Sequence, residues 1–407
     1  MRNRQAVAGV PPQEAPAPVV PSGRTTRRLH AVLVGAVVVG VVGAAFPAPW
    51  PDTGWLDLRV YRAAIDAALS GGSLYDVALP DPGSAPAPFL YPPFAALLGA
   101  PFSVLPLGSA ATIWALCQLA MAGLLVGVLA RSQGWPGAVR SIGTALTAGL
   151  VWVLFVGSRP VLAGVLLGQV SLLVTTLVVI DLMALPPRWK GVLVGLAGAV
   201  KLTPMVFLAY FLVTRQWRAA VNALVAFLAA TALGFAVWPA DSLRYWTSVI
   251  LDAARVPGLG AQTNLSLVGQ LRFWGVPDAF VLPAWVALGA VVLTLALRQA
   301  ARRHVAGDEA SALLTMGAAS ALVSPVAWDH YQVWLPLAAV LLVFSRGRGI
   351  RAGGWTLLVA LGVLSPLWPE PIGPLDVPVL GLFPVVLALW ISLGGLPLRG
   401  QRPLPEG

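Results

Sequence analysis

Charge is what this 407-residue chain most lacks: Asp, Glu, Lys and Arg together make up 10% of it, against about 25% in ordinary soluble domains. Hydrophobic residues reach 58% and mean hydropathy is +0.81. A soluble globular domain is therefore excluded, and a polytopic helical membrane protein is expected. Cysteine is almost absent as well. The single Cys117 lies inside the apolar run IWALCQLAMAGLLVGV, which excludes a disulfide framework and a thiolate metal site. Also missing are a Gly-Lys-Ser/Thr phosphate loop, a dinucleotide fingerprint, a nucleophile elbow and any internal repeat. Nucleotide binding and Ser-His-Asp hydrolysis accordingly have little support. No aspartates fall at metal-ligand spacing, so no metal and no cofactor are expected.

The formal charge of +10 comes from arginines scattered between hydrophobic runs. Scatter of that kind reports topology rather than a nucleic-acid partner. Residues 1–28 read as a disordered cytoplasmic tail, rich in Pro, Ala and Val. A first span from His30 to Phe46 follows Arg24, Arg27 and Arg28; a signal peptide ending at Ala44 or Ala45 is one reading, and the long polar lead favours an uncleaved anchor. Further spans are expected at 109–130, 140–157, 161–185, 217–239, 277–298, 310–325, 330–345, 352–368 and 377–396, within a membrane domain covering 29–397. A cytoplasmic tail, 398–407, closes the chain.

Two segments resist assignment: Tyr91–Leu107 is broken by prolines, and Lys190–Thr214 carries Lys201, Thr203 and Pro204 at its middle. Re-entrant hairpins or paired half-helices there raise the count from ten toward twelve without changing sidedness. Threaded with the N-terminus inside, nineteen of the 26 basic residues fall on the cytoplasmic side, six outside, and Lys201 within the membrane. Eleven of the sixteen carboxylates fall outside. The polar chemistry is expected to face outward from a multi-pass plasma-membrane protein.

Four clusters stand out. The first is Asp57 in WLDLRVYRAAIDAAL, followed by GGSLYD and FLYPPF. At 3.6 residues per turn Arg59, Arg62 and Asp66 share one face, whereas Asp57 lies opposite with Tyr61, Ala64 and Ala68. A carboxylate turned from water has a partner or a task, although opening a helix is an alternative use. The second cluster is the intramembrane pair GQVS (Gln169) and KLTP (Lys201), where the ammonium requires an anion. Interhelical bonding alone is the competing reading of Gln169. The third is QTNLSLVGQLRFWG, with Asn264 and Arg272; the fourth is SPVAWDHYQVW, with Asp329 and His330. An interfacial role competes in both.

Together DLRVY, GGSLYD, YPPFAALLGAPFSVLP, GQVSLLVTTLVVIDL, RWKGVLVGLAGAVKLTP, TNLSLVGQLRF and SPVAWDHYQVWLP make the chain resemble the glycosyltransferase 87 family. These are polyprenyl-phosphate-mannose-dependent α-mannosyltransferases of the GT-C class. Ser171 stands where the family usually has Asn, and Asn264-Leu265-Ser266 where Asn-Gln-Ser is common. Both departures touch substrate contacts more than the catalytic scheme.

The resemblance implies an all-α, GT-C-like fold with about ten to twelve transmembrane helices and an outward amphipathic first loop. It implies Asp57 as general base, with His330 also catalytic by orienting a substrate or relaying the proton. Lys201, assisted by Arg272, would bind the donor phosphate, and Tyr61, Tyr91, Gln169, Asn264 and Asp329 would contact substrate. The partners implied are a polyprenyl-phosphate sugar donor, a glycolipid or glycan acceptor and the membrane lipids. A GT-C transferase of another sugar such as arabinose is the nearer alternative, and a transporter or flippase the more distant one. Transporters concentrate charge near the midplane and show repeated halves; here carboxylates crowd the outer side.

The basic asymmetry makes a direct prediction. In a Cys117→Ala background, cysteines at Ser84 and Gly260 should react with an impermeant maleimide on intact cells, and one at Gly347 should not. The reverse labelling pattern inverts the topology.

Overall fold

A computed structural model describes residues 54–81, 85–135, 142–252, 255–261, 263–363 and 376–397. The expected first span and both expected tails lie outside the described residues. Almost everything described is helix. The elements are α1 (Leu56–Leu69), a two-stranded hairpin β1 (Ala78–Leu79) and β2 (Ala87–Pro88), α2 (Pro93–Ser103), α3 (Leu107–Ser132), α4 (Ile142–Gly157), α5 (Arg159–Leu167) and α6 (Ser171–Met183). Then come α7 (Val192–Val200), α8 (Val206–Val213), α9 (Trp217–Val237), α10 (Pro239–Thr247), α11 (Leu267–Phe273) and α12 (Asp278–Val305). The last four are α13 (Glu309–Val323), α14 (Trp334–Phe344), α15 (Arg348–Val363) and α16 (Asp376–Ser392). β1 and β2 pair antiparallel, Ala78 opposite Pro88.

The architecture is that of an all-α polytopic membrane protein. At its centre stand α13 and α14, in which every residue from Ala310 to Leu322 and from Trp334 to Phe344 is buried. A helix apolar on all sides belongs inside such a bundle. At the periphery α9 and α12 expose Val221, Val225, Leu228, Leu282, Val286 and Val291, side chains suited to a hydrocarbon solvent. A second, smaller core forms where α1 meets α2 and the loop carrying Leu74 and Tyr75. Leu56, Val60, Ala64, Ile65 and Ala68 supply the α1 side of it, and Tyr245 and Val249 the other.

Among the described residues, only α3, α9 and α12 are long and apolar enough to cross a membrane unbroken, with a fourth if Thr144–Gly157 and Arg159–Leu167, bent by 64°, are taken together. The all-α polytopic membrane fold expected from the sequence is the one observed, and the other predicted spans that fall on described residues correspond in position to shorter or broken helices. The span expected at 161–185 is two helices, α5 and α6, parted at Gly168–Val170. Gly168 ends α5 with φ of 74°, and a Cβ there would stand 2.6 Å from Cβ of Leu58, so α1 presses on the break itself. The ambiguous 190–214 segment is a pair of half-helices, α7 and α8, separated by Lys201, Leu202 and a 3-10 turn at Thr203–Met205.

Buried capping holds these pieces. The side chain of Asp181, fully buried at the end of α6, accepts from the backbone N–H groups of Gly191 (2.6 Å), Leu193 (2.7 Å) and Val194 (3.1 Å) at the start of α7. Three orphan donors of one helix thus meet one carboxylate. Helix α7 then lies against α9 so closely that a Cβ on Gly195 would fall 2.2 Å from the Ala223 carbonyl oxygen and 2.9 Å from the Phe227 nitrogen. Both are backbone atoms and cannot step aside.

Gly195→Val should therefore destabilise the protein by about 2 kcal/mol or more. Gly127→Val in α3, where a Cβ meets nothing within 4 Å, should leave stability within ~0.5 kcal/mol. Thermal unfolding of the purified protein in detergent reads the contrast; equal behaviour of the two variants would refute the close approach.

Candidate active site

The two helix breaks face α1, and their polar residues converge on Asp57. The N-terminus of α1 is pinned by the Trp55 backbone N–H, which donates to the Leu166 carbonyl at 3.1 Å. Asp57 then falls in the first turn, half-buried, above the α5–α6 break. Gln169 sits in that break, almost wholly buried. Its Oε1 accepts from the Tyr61 hydroxyl at 3.0 Å and the Tyr91 hydroxyl at 2.9 Å. With the oxygen occupied by two donors, the amide nitrogen is left to serve Asp57, with which Gln169 forms a side-chain hydrogen bond.

Burial pushes the Asp57 carboxyl up to about 6, against opposing pulls from the Gln169 hydrogen bond and the Lys201 charge; Asp81 adds a smaller push upward. A carboxylate tuned there is ionised at neutral pH and still basic enough to take a proton.

Lys201, 7% exposed, terminates α7 in extended backbone, and its Nζ has no hydrogen-bond partner. Nζ lies 3.2 Å from the centroid of the Tyr331 ring and 5.5 Å from that of Tyr91. Two aromatic faces and a nearby carboxylate offset part of the cost of burying the ammonium without closing it off from a further anion. The half-helix carries it into range of Asp57, and the full length of a span is not needed.

His330 follows on the 3-10 turn Asp329–Tyr331, 4% exposed, its Nε2 without a hydrogen-bond partner. The turn packs on α5, where Gly164 leaves room: a Cβ there would lie 3.6 Å from Cβ of His330. Asp329 points elsewhere, its Oδ2 bound by Nε and Nη2 of Arg159, each at 2.6 Å.

Of the residues expected at the site, the structure thus gathers Asp57, Tyr61, Tyr91, Gln169, Lys201 and His330. Asn264 and Arg272 are differently employed. Asn264 is fully buried; its Oδ1 accepts from the N–H of Ser266 (3.3 Å) and Ala327 (3.0 Å), and its Nδ2 donates to the Leu259 carbonyl (2.9 Å). It ties its loop to the strand of chain leading into the His330 turn. Arg272 is part-exposed and lies 3.5 Å from Asp278.

Sequence reasoning missed Tyr331 and Arg159 as neighbours of the site. Tyr331 had a signal, adjacency to His330 in WDHYQ. Arg159 had none beyond being one of the few arginines expected outside. An apolar cavity opens beside the cluster, lined by Leu58, Tyr61, Ile65, Tyr91, Phe102 and Trp114 among others. A smaller one is lined by Lys201, Ser171 and Ser320 among others.

A half-buried carboxylate hydrogen-bonded to an amide, near a buried ammonium and beside an apolar cavity, is a site suited to a membrane enzyme. The chain belongs to one such group. The profile of Glycosyltransferase family 87 matches residues 89–325, more than half of it, and the protein is a glycosyltransferase. Two relatives are named polyprenol-phosphate-mannose-dependent alpha-(1-2)-phosphatidylinositol mannoside mannosyltransferase. That of Mycobacterium tuberculosis is 32% identical over 324 residues, and that of Mycolicibacterium smegmatis 35% identical over 338; each match covers 77% of this chain and 75% of the relative. A third, from M. smegmatis, is named for a pentamannoside acceptor and is 32% identical over 358 residues, 85% of this chain and 84% of its own length. Asp57 lies outside the profile match, and Tyr91, Gln169, Lys201, Asn264 and Arg272 inside it.

The Arg159–Asp329 pair fixes the His330 turn to α5, with side chains 32% and 18% exposed. A double-mutant cycle with Arg159→Gln and Asp329→Asn should give a coupling energy of ~1–2 kcal/mol in thermal unfolding, moderated by the exposure of the arginine. Additive single-mutant effects would show that the pair holds nothing.

Proposed function

We propose that this protein transfers a mannosyl residue from polyprenyl-phosphate mannose to a phosphatidylinositol mannoside-type glycolipid on the extracytoplasmic face of the membrane, with inversion. The carrying observation is Asp57 hydrogen-bonded to Gln169 within electrostatic range of Lys201, a base with a cation close by. The family and the names of its relatives support the donor and the acceptor class. Outward sidedness is supported by the basic asymmetry of the loops, and by donor chemistry: nucleotide sugars stay in the cytoplasm, whereas a flipped lipid-phosphate sugar is available outside.

The reaction needs little beyond this set. A phosphate is already a good leaving group, so one base suffices. The acceptor hydroxyl loses its proton to the Asp57 carboxylate as its oxygen bonds to the anomeric carbon. The bond from that carbon to the phosphate oxygen breaks, and its electron pair stays on the departing polyprenyl phosphate. Lys201 neutralises the charge that gathers there. His330, buried beside the same pocket, orients the phosphate or the acceptor. A single displacement of this kind inverts the anomeric centre, and the carboxylate next to His330, that of Asp329, is occupied by Arg159.

Purified protein given polyprenyl-phosphate mannose and a phosphatidylinositol mannoside should show kcat/KM rising tenfold per pH unit up to about 6 and level above it. The sign follows from the raised carboxyl: below that point Asp57 holds a proton and accepts none. Asp57→Asn should lose at least ~10²-fold in turnover with donor affinity near wild type, and His330→Ala should lose less. Near-normal turnover by Asp57→Asn would end the assignment of the base.

A further inference from the structure

The mechanism leaves one feature unused, the smaller cavity beyond Lys201. Its lining mixes Lys201 and the hydroxyl-bearing residues Ser171, Thr175, Thr203, Ser320 and Tyr331 with apolar residues such as Val174, Phe207 and Trp334. Two of its polar groups are more than nine-tenths buried and have no partner: Lys201 Nζ and Ser171 Oγ, in residues 7% and 6% exposed. An ammonium and a hydroxyl buried together, neither satisfied, are expensive unless an anion joins them. The backbone adds to the case. Ser171 is the first residue of α6, a helix of thirteen residues, and the N–H groups of its first turn have no acceptor within the helix. The positive end of that helix therefore opens where Lys201 ends α7.

Resting on the reading of this protein as a transferase of lipid-phosphate sugars, we propose that the first turn of α6 and the Ser171 hydroxyl cradle the donor phosphate from the side opposite Asp57, jointly with Lys201. Ser171 is two residues from Gln169, whose side chain serves Asp57. One short break thus faces the acceptor with its amide and the leaving group with its hydroxyl and helix terminus. As the bond to the anomeric carbon breaks, the charge arriving on the phosphate oxygen meets donors already in place, and no solvent has to reorganise. The same contacts hold the free polyprenyl phosphate after transfer, so they govern product release as well as donor binding.

The test uses the full-length protein in nanodiscs, with polyprenyl-phosphate mannose as donor and polyprenyl phosphate as product inhibitor. Ser171→Ala removes one hydrogen bond to a charged group. It should raise the donor KM and the inhibition constant of polyprenyl phosphate by about tenfold each, with the acceptor KM and melting temperature unchanged. Ser171→Thr, which keeps the hydroxyl, should stay close to wild type in both. A role confined to packing would instead lower the melting temperature and disturb acceptor and donor alike, and that result overturns the proposal. It is also overturned if Ser171→Ala leaves both donor constants unmoved while Lys201→Met raises them. In that case the phosphate meets Lys201 from another side, and the transferase reading stands. Failure of the wild-type protein to turn over any polyprenyl-phosphate sugar would remove the transferase reading itself.

Discussion

A lysine ammonium inside a membrane protein dictates much of what surrounds it. Lys201 is unpaired by any hydrogen bond, is buried, and is tolerated because two tyrosine rings and the Asp57 carboxylate stand around it. Its position depends on stopping α7 at Val200 rather than continuing through the membrane. Thr203 and Pro204 follow at once, and proline cannot donate the hydrogen bond that a continuous helix requires. The charge and the break are one device: freed backbone and a buried cation are both acceptable only where protein or substrate can answer them.

The second break, at Gly168–Val170, is its counterpart. Glycine takes the left-handed conformation that ends α5, and Leu58 of α1 fills the space where a side chain would be. Gln169 is thereby presented toward Asp57 and two tyrosines at once. A regular helix from 161 to 185 would have pointed it at a neighbouring helix. The proposed site rests on two interrupted helices and the amphipathic α1, with α13 and α14, in which nearly every residue is buried, at the centre of the bundle. Rigidity at the centre and irregularity at the site are complementary, because a carboxyl near pH 6 keeps its tuning only if its surroundings do not relax.

Asp181 and Asn264 show how similar residues divide between framework and site. Both are fully buried and polar, and both spend every polar atom on backbone groups, Asp181 at the start of α7 and Asn264 at the approach to His330. Lys201, Ser171 and His330 are equally buried and retain unanswered atoms. Burial alone does not separate the groups; what differs among these five is whether their polar atoms are already spent on the backbone.

Composition and hydrophobic runs were enough to establish a helical membrane protein, because the bilayer imposes length and apolarity residue by residue. The wheel of α1 was legible for the same reason: Ala64 and Ala68 are buried and Asp66 exposed, as a 3.6-residue period requires. Short motifs around Asp57, Gln169, Lys201 and His330 carried the family. What the linear chain did not carry is which of them meet. Lys201 and Asp57 are 144 positions apart and belong together only because α7 stops halfway and α1 crosses the α5–α6 break. Tyr331 over the ammonium, Arg159 on Asp329, and the withdrawal of Asn264 into backbone bonding depend on contacts between distant segments. Periodicity reports which face of a helix is buried, and only the tertiary structure decides what that face is buried against.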